Sequence, residues 1–180
     1  MLRYNNMDEQ KDKEKAEILS QPQFVMRIPL SRGLSAIVDK EDFDRFKNYK
    51  WSVAQNGGTF YAVRGEYIGN GKSRSIYLHR QILDAPKDRI VDHKDGNGLN
   101  NRRINLRLCT HAENLWNRGK NKNNTSGYKG VYYHKQTGKF ITSIWFHHKE
   151  IYLGLFRTAQ GASSAYQVAA KKFHGNFARN

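Results

Sequence analysis

A single cysteine, Cys109, stands in a chain of 180 residues. One thiol excludes an internal disulfide and a cysteine-rich zinc site, and it suits a reducing compartment. No run of about 18 apolar residues exists, and residues 1–20 hold no apolar signal core. The sequence therefore predicts a soluble, intracellular chain. Acids are also scarce: 16 Asp and Glu stand against 31 Lys and Arg, for a net charge of +15. The length is enough for one medium or two small domains, and with 38% of residues apolar the core exists but is not large. A charge of this size and sign favours a polyanionic partner. It is spread unevenly. Residues 99–125 carry +5 and residues 126–180 carry +7, so the electrostatic footprint is expected in the second half.

The pattern along the chain divides it into four stretches. Residues 1–24 are polar and charged, and read as a flexible arm. Residues 25–118 read as one mixed, strand-rich domain. Met26–Leu30 and Ser35–Val38 are short strands around the turn at Arg32 and Gly33. Asp39 is placed as the N-cap of a short helix bearing Phe43 and Phe46. Trp51–Val53 and Thr59–Val63 flank the hairpin signal Asn56-Gly57-Gly58. Gly69-Asn70-Gly71 is a further turn before a strand over Ser75–His79. Residues 119–127, GKNKNNTSG, contain no large apolar side chain and read as a linker. Residues 128–180 then offer three strands, Tyr128–Lys135, Lys139–His147 and Ile151–Phe156. A helix capped by Thr158 and stopped by Gly175 comes after them. The fold class expected is α+β.

The informative stretch is Ile90–Arg118, IVDHKDGNGLNNRRINLRLCTHAENLWNR. Ile90-Val91 is a short apolar strand running into Asp92-His93. Ile104–Cys109 is a return strand, and Thr110 caps a short helix carrying Glu113 and Asn114. Phosphodiester hydrolysis needs a base for water and a cation for the scissile phosphate and leaving oxygen. Neighbouring side chains of a strand diverge, so His93 faces water while Asp92 faces a metal. Asn114 is the candidate second oxygen ligand. A carboxylate and an amide oxygen suit one hard ion, Mg²⁺ or Mn²⁺. His79, expected on a strand, reads as a packed or supporting histidine, and His111 as solvated. Arg102, Arg103, Arg107, Arg118, Lys120 and Lys122 surround the motif and read as a clamp on the DNA backbone.

In the frame VDHKDGNGLNNRRINLRLCTHAEN, Asp92-His93, Asn105 and Asn114 resemble the ββα-metal motif of His-Asn-His (HNH) homing endonucleases. The resemblance covers about residues 25–118. It implies His93 as general base, Asp92 and Asn114 as metal ligands, and Asn105 as a structural bridge holding the loop. Many relatives end the motif in His where this chain has Asn114. The family also implies a phage or bacterial mobile element, and hence a host cytosol.

Residues 126–178 resemble the apetala/ethylene-response-factor (ERF) DNA-binding domain, through Ser126-Gly127-Tyr128-Lys129-Gly130-Val131, Gly138-Lys139-Phe140, Tyr152-Leu153-Gly154-Leu155-Phe156 and Ala165-Tyr166 to His174-Gly175. The resemblance implies a three-stranded antiparallel sheet packed on one helix, its outer face in the major groove. The alternation of the second strand agrees: Phe140, Ile144 and Phe146 point to the helix, and Ser143 and Trp145 away from it. Carried over by position, the DNA contacts are Lys129, Tyr132, His134, Ser143, Trp145 and Tyr152. Plant relatives carry mostly arginine and tryptophan there, and Glu150 falls where a basic residue is common, so the plant target is not implied. The sequence as a whole points to a monomeric, site-directed endonuclease on double-stranded DNA, with no membrane and no small-molecule substrate. A DNA-binding regulator with a silent nuclease fold is the alternative.

Overall fold

A computed structural model describes residues 25–179. The arm expected over residues 1–24 lies outside the described residues. The described chain is mixed α+β, built from small antiparallel sheets and few helices. Among the described residues no helix is long and apolar enough to cross a membrane. The chain divides into two compact units, one running up to Leu78 and including Gly98–Arg103, the other formed by His79–Asn97 and the residues from Ile104 onward.

In the first unit, β1 (Val25–Pro29) and β2 (Ser35–Asp39) pair antiparallel, from Val25↔Asp39 to Pro29↔Ser35. The turn between them needs positive φ at Arg32 and Gly33. Ile28, Ala36 and Val38 are buried at alternate positions, which fixes the register. Helix α1 (Lys40–Phe46) comes next. Asp39 occupies its N-cap position without a side-chain cap bond. Its carboxylate instead accepts Arg102 Nε at 3.2 Å and the Arg103 backbone N–H at 2.8 Å. Phe46 is buried against Trp51, edge to face at 6.3 Å, and Trp51 Nε1 donates to the Phe46 carbonyl at 3.0 Å. Strands β3 (Ser52–Asn56), β4 (Thr59–Gly69) and β5 (Lys72–Tyr77) form a meander in that order. The segment Gly98–Arg103 runs beside β2: Ile37 N–H donates to the Leu99 carbonyl at 2.8 Å, and Asn101 N–H to the Ile37 carbonyl at 2.7 Å.

The strand expected through His79 stops at Tyr77. Helix α2 (Leu78–Ile82) takes over, with Leu78 and Ile82 buried at helical spacing.

In the second unit, β6 (Ile90–His93) pairs antiparallel with β7 (Leu106–Cys109), and α3 (His111–Trp116) begins directly after it. Thr110 and Glu113 close a capping box: the Thr110 hydroxyl accepts the Glu113 N–H, and the Thr110 N–H donates to Glu113 Oε2 at 2.7 Å. Residues 119–127 form neither helix nor strand. Two of their side chains tie them to the start of the C-terminal sheet. Asn124 Nδ2 donates to the Tyr128 carbonyl at 2.8 Å, and Ser126 Oγ to the Val131 carbonyl at 2.7 Å. Strands β8 (Val131–His134), β9 (Lys139–Phe146) and β10 (Lys149–Phe156) make that antiparallel sheet, with β9 central. Helix α4 (Ala159–His174) packs on one face, its first turn capped by the Thr158 hydroxyl. The core between them is Ile144, Tyr166, Ala169 and Ala170, ringed by Ile151, Leu153 and Phe173. Small alanines let the helix approach the sheet closely. Gly130, at positive φ, leaves no room for a Cβ against the Tyr166 ring, so β8 begins after it rather than at Tyr128.

Candidate nuclease site and nucleic-acid face

The hairpin register decides which side chains meet. Asp92 lies directly across from Arg107, and His93 across from Leu106. Cross-strand partners share a face, so Asp92 and Arg107 form an ion pair while His93 turns the other way. Arg107 Nε and Nη2 both reach Asp92 Oδ2 at 2.7 Å. The other carboxylate oxygen, Oδ1, accepts Asn117 Nδ2 at 2.9 Å, and the same amide donates to the His93 carbonyl at 3.0 Å. Asp92, His93 and Asn117 are all buried. Asn117 is the C-cap residue of α3. Sequence reasoning missed it because it lies past the motif. Its spacing of three from Asn114, on one helix face, is the signal that marks it.

Asn105 braces the turn after β6 from both sides. Its backbone carbonyl accepts the Lys94 N–H at 2.9 Å, and its side-chain oxygen accepts the Asp95 N–H at 3.1 Å. Its amide nitrogen donates to Asp95 Oδ1 at 3.0 Å, and that oxygen also takes the Asn97 N–H at 2.8 Å. The Gly96 N–H returns to the His93 carbonyl at 2.8 Å, so the His93 backbone is held from two directions. His79 adds a second imidazole. Its ring stands edge-on to that of His93, centroids 5.0 Å apart. Burial, the neighbouring His93 and Arg80 push its pKa down to about 3, so it is a neutral neighbour. Cys109 is buried, and burial with Asp92 and Glu113 nearby pushes its thiol up to about 11, far from a reactive thiolate.

Asn114 is half-buried on α3, one turn before Asn117. Among the described residues no three His, Cys, Asp or Glu side chains converge as a metal cage. What the site offers is a carboxylate with an amide on a neighbouring helix. A carboxylate oxygen can accept about two bonds, so Asp92 Oδ1, with Asn117 on it, retains room for a cation. A carboxylate and an amide oxygen are donors of the kind a hard divalent cation takes.

The basic residues fall into separate groups. Arg102 and Arg103 belong to the first unit, where Arg103 forks onto the fully buried Asp42 with two bonds of 2.8 Å. Pairing with Asp42 raises the Arg103 pKa further. Arg107 is taken by Asp92. Arg118 and Lys122 are exposed; Lys120 is exposed as well, and its Nζ donates to the Gly127 carbonyl at 3.1 Å. Lys129 donates to the Trp116 carbonyl at 2.6 Å and the Arg179 carbonyl at 3.2 Å. Burial and Arg179 push its pKa down to about 8.

On the sheet face away from α4, Tyr132, Trp145 and Tyr152 are 46%, 59% and 63% exposed, an aromatic patch open to solvent. Ser143 shares this face but is buried beneath it. Its hydroxyl donates to Glu150 Oε1 at 2.5 Å and meets the Tyr132 hydroxyl, which also donates to Glu150 at 3.2 Å. His134 closes the β8–β9 turn with Nδ1 2.9 Å from the Thr137 hydroxyl.

Residues 84–115 match the HNH endonuclease family, a stretch that begins just after α2 and runs through β6 and β7 into α3. Protein 3.8 of Escherichia phage T7 is 33% identical over 106 residues, covering 56% of this chain and 87% of that protein. An uncharacterized HNH endonuclease, L560, of Acanthamoeba polyphaga mimivirus is 28% identical over 147 residues, 82% of this chain and 74% of the relative. The AP2-like ethylene-responsive transcription factor TOE2 of Arabidopsis thaliana is 43% identical over 54 residues, 30% of this chain but only 11% of that protein. No solved structure matches the chain. With a third of the aligned residues shared along most of phage T7 protein 3.8, and the HNH signature over its buried Asp92-His93 hairpin, the chain belongs to the family of that phage protein and carries an HNH endonuclease motif.

Proposed function

We propose that the chain is a site-directed DNA endonuclease of the homing type. In this reading His93 takes a proton from water as the water oxygen attacks phosphorus and the bond to the leaving deoxyribose oxygen breaks. Asp92 and Asn114 would hold one divalent cation, Mg²⁺ or Mn²⁺, which would supply positive charge for the phosphate and the leaving oxygen. Asn117 holds the histidine's own carbonyl, Asn105 holds the backbone just after it, and His79 packs edge-on against its ring. The observation that carries the reading is the buried Asp92-His93 pair at the end of β6, followed by β7 and by the helix that bears Asn114.

The division of labour proposed is a nuclease part over residues 25–118, a connection over 119–127, and an ERF-like address over 128–180. On that address Tyr132, Trp145 and Tyr152 contact bases or sugars, and Arg118, Lys120 and Lys122 contact phosphates. TOE2, a relative over 54 residues, is by its name a transcription factor, which favours double-stranded DNA as the partner.

The test is conversion of supercoiled plasmid in Mg²⁺ by the wild-type chain and by His93→Ala. Nicking or linearisation that disappears in the variant and in EDTA supports the reading. Tight retardation of DNA with no cutting by wild type on varied targets and metals sinks it. One observation favours a silent, DNA-binding regulator as the second reading: both oxygens of Asp92 already accept hydrogen bonds from Arg107 and Asn117.

A further inference from the structure

Asp92 Oδ2 is gripped by Arg107, which the chain after α4 grips in turn, and Oδ1 by Asn117, whose neighbour Trp116 packs on α4. Arg107, on Oδ2, donates Nη1 to the Asn176 carbonyl at 2.5 Å and lies over the Phe177 ring at 3.8 Å from its centroid. Asn117, on Oδ1, stands next to Trp116, whose ring stacks on His174 at 4.6 Å and 7° and whose carbonyl accepts Lys129 Nζ. The chain after α4 touches the turn beyond β6 as well. A Cβ at Gly96 would overlap the Arg179 guanidinium, so the absence of a side chain there is what lets Arg179 lie on the His93–Gly96 turn. Asn176, Phe177 and Arg179 thus meet the β6–β7 hairpin and its turn, and His174 meets α3, all within one compact unit.

We propose that the segment His174–Arg179 is a positioning part of the nuclease site, with Phe177 holding Arg107 and thereby orienting the Asp92 carboxylate. The inference rests on the endonuclease reading and deepens it. Two independent modules on a slack tether would leave the carboxylate in the same place whatever the C-terminal module does. Here the cation–π contact and the Asn176 carbonyl take up the face and the guanidinium nitrogen that Asp92 does not use, and so fix its plane. Asp92 is then aimed by residues from the far end of the chain, and engagement of DNA by the C-terminal sheet is mechanically joined to the site of cutting.

The experiment compares full-length wild type, Phe177→Ala and Phe177→Tyr, with three readouts: the single-turnover cutting rate at saturating DNA, the DNA dissociation constant, and the Arg107 Nε–H resonance in ¹⁵N–¹H spectra. Phe177→Ala is expected to cut about tenfold more slowly with a dissociation constant within about twofold of wild type, as for loss of an outer-shell support. Its Arg107 Nε–H signal shifts or exchanges away, and Phe177→Tyr, which keeps the ring, restores both rate and signal. Should Phe177→Ala fail to fold by thermal melting, Phe177→Leu, which fills the space without a π face, replaces it. Wild-type cutting by the ring-less variant, or an unmoved Arg107 signal, overturns the inference. If wild type itself never cuts while the signal follows the ring as expected, the endonuclease reading falls and the positioning role stands.

Discussion

Arg103 and Arg107 lie close together in the chain, and each closes two nitrogens on a buried aspartate: Arg103 on Asp42 at 2.8 Å, Arg107 on Asp92 at 2.7 Å. Their surroundings separate them. Asp42 has a second cation, Arg45 at 3.0 Å, and the pair closes the segment Gly98–Arg103 onto the first unit. Asp92 has a buried histidine beside it, a buried amide on its other oxygen, and an arginine that is itself held on a ring and a carbonyl. A fork on a buried carboxylate is by itself a staple. It becomes a site when the carboxylate's remaining neighbours are chemically competent and are themselves fixed.

That contrast breaks most sharply on methionine at each arginine. Arg107→Met is expected to lower cutting by on the order of a hundredfold while DNA affinity holds, as for loss of a ligand's outer-shell partner. Arg103→Met is expected to cut at the wild-type rate but to unfold more easily, by about 2 kcal/mol, since Asp42 stays buried with only Arg45 to balance it. Plasmid cutting and thermal melting of both variants measure the two effects. A larger loss of cutting in Arg103→Met than in Arg107→Met would invert the assignment.

The sequence made the hairpin legible because a short apolar strand, an Asp-His pair and a capping box fall within thirty residues. What it could not show is the register. Arg107 looks like one more basic residue until the ladder sets it opposite Asp92, and the long loop between β6 and β7 hides that offset. Asn117 was hidden for a similar reason, since a C-cap amide acquires its role only from where the helix ends. In sequence, His79 simply continues the strand-like run Ser75–Leu78 that follows the Gly69-Asn70-Gly71 turn. The switch to a helix comes from burying Leu78 and Ile82 together. In the C-terminal sheet, alternation assigned Ser143 to the outer face, where it sits. Its burial comes from Tyr132 and Glu150 on the two flanking strands, and no single strand's pattern contains that.

The aromatic face gives a second, smaller way to sharpen the comparison. Trp145→Ala and Tyr152→Ala are each expected to weaken DNA binding about tenfold, the order of one lost contact in the groove, with the salt dependence unchanged because no charge is removed. Ser143→Ala, buried under Tyr132 and Glu150, is expected to stay within about twofold. Titrations at two salt concentrations separate these outcomes. A Ser143→Ala loss as large as that of Trp145→Ala would mean that the hidden hydroxyl, rather than the rings, faces the nucleic acid.

The smallest effect concerns Lys129, the cation that joins α3 to the chain's end through the Trp116 and Arg179 carbonyls. Burial and Arg179 push its pKa down to about 8 from the ordinary value of 10.5. Below pH 8 the folded and unfolded chains both carry its proton, and the full cost of burying the charge opposes folding. Between pH 8 and 10.5 the unfolded chain keeps the proton and the folded one has lost it. More protons are then bound by the unfolded state, so this group's contribution to stability rises with pH. Melting of wild type and Lys129→Met across that window should show wild type gaining on the variant as the pH climbs. If wild type loses ground instead, the two carbonyls hold Lys129 as a cation more strongly than burial opposes it. Lys129 would then belong with Arg107, as a charge fixed by backbone acceptors.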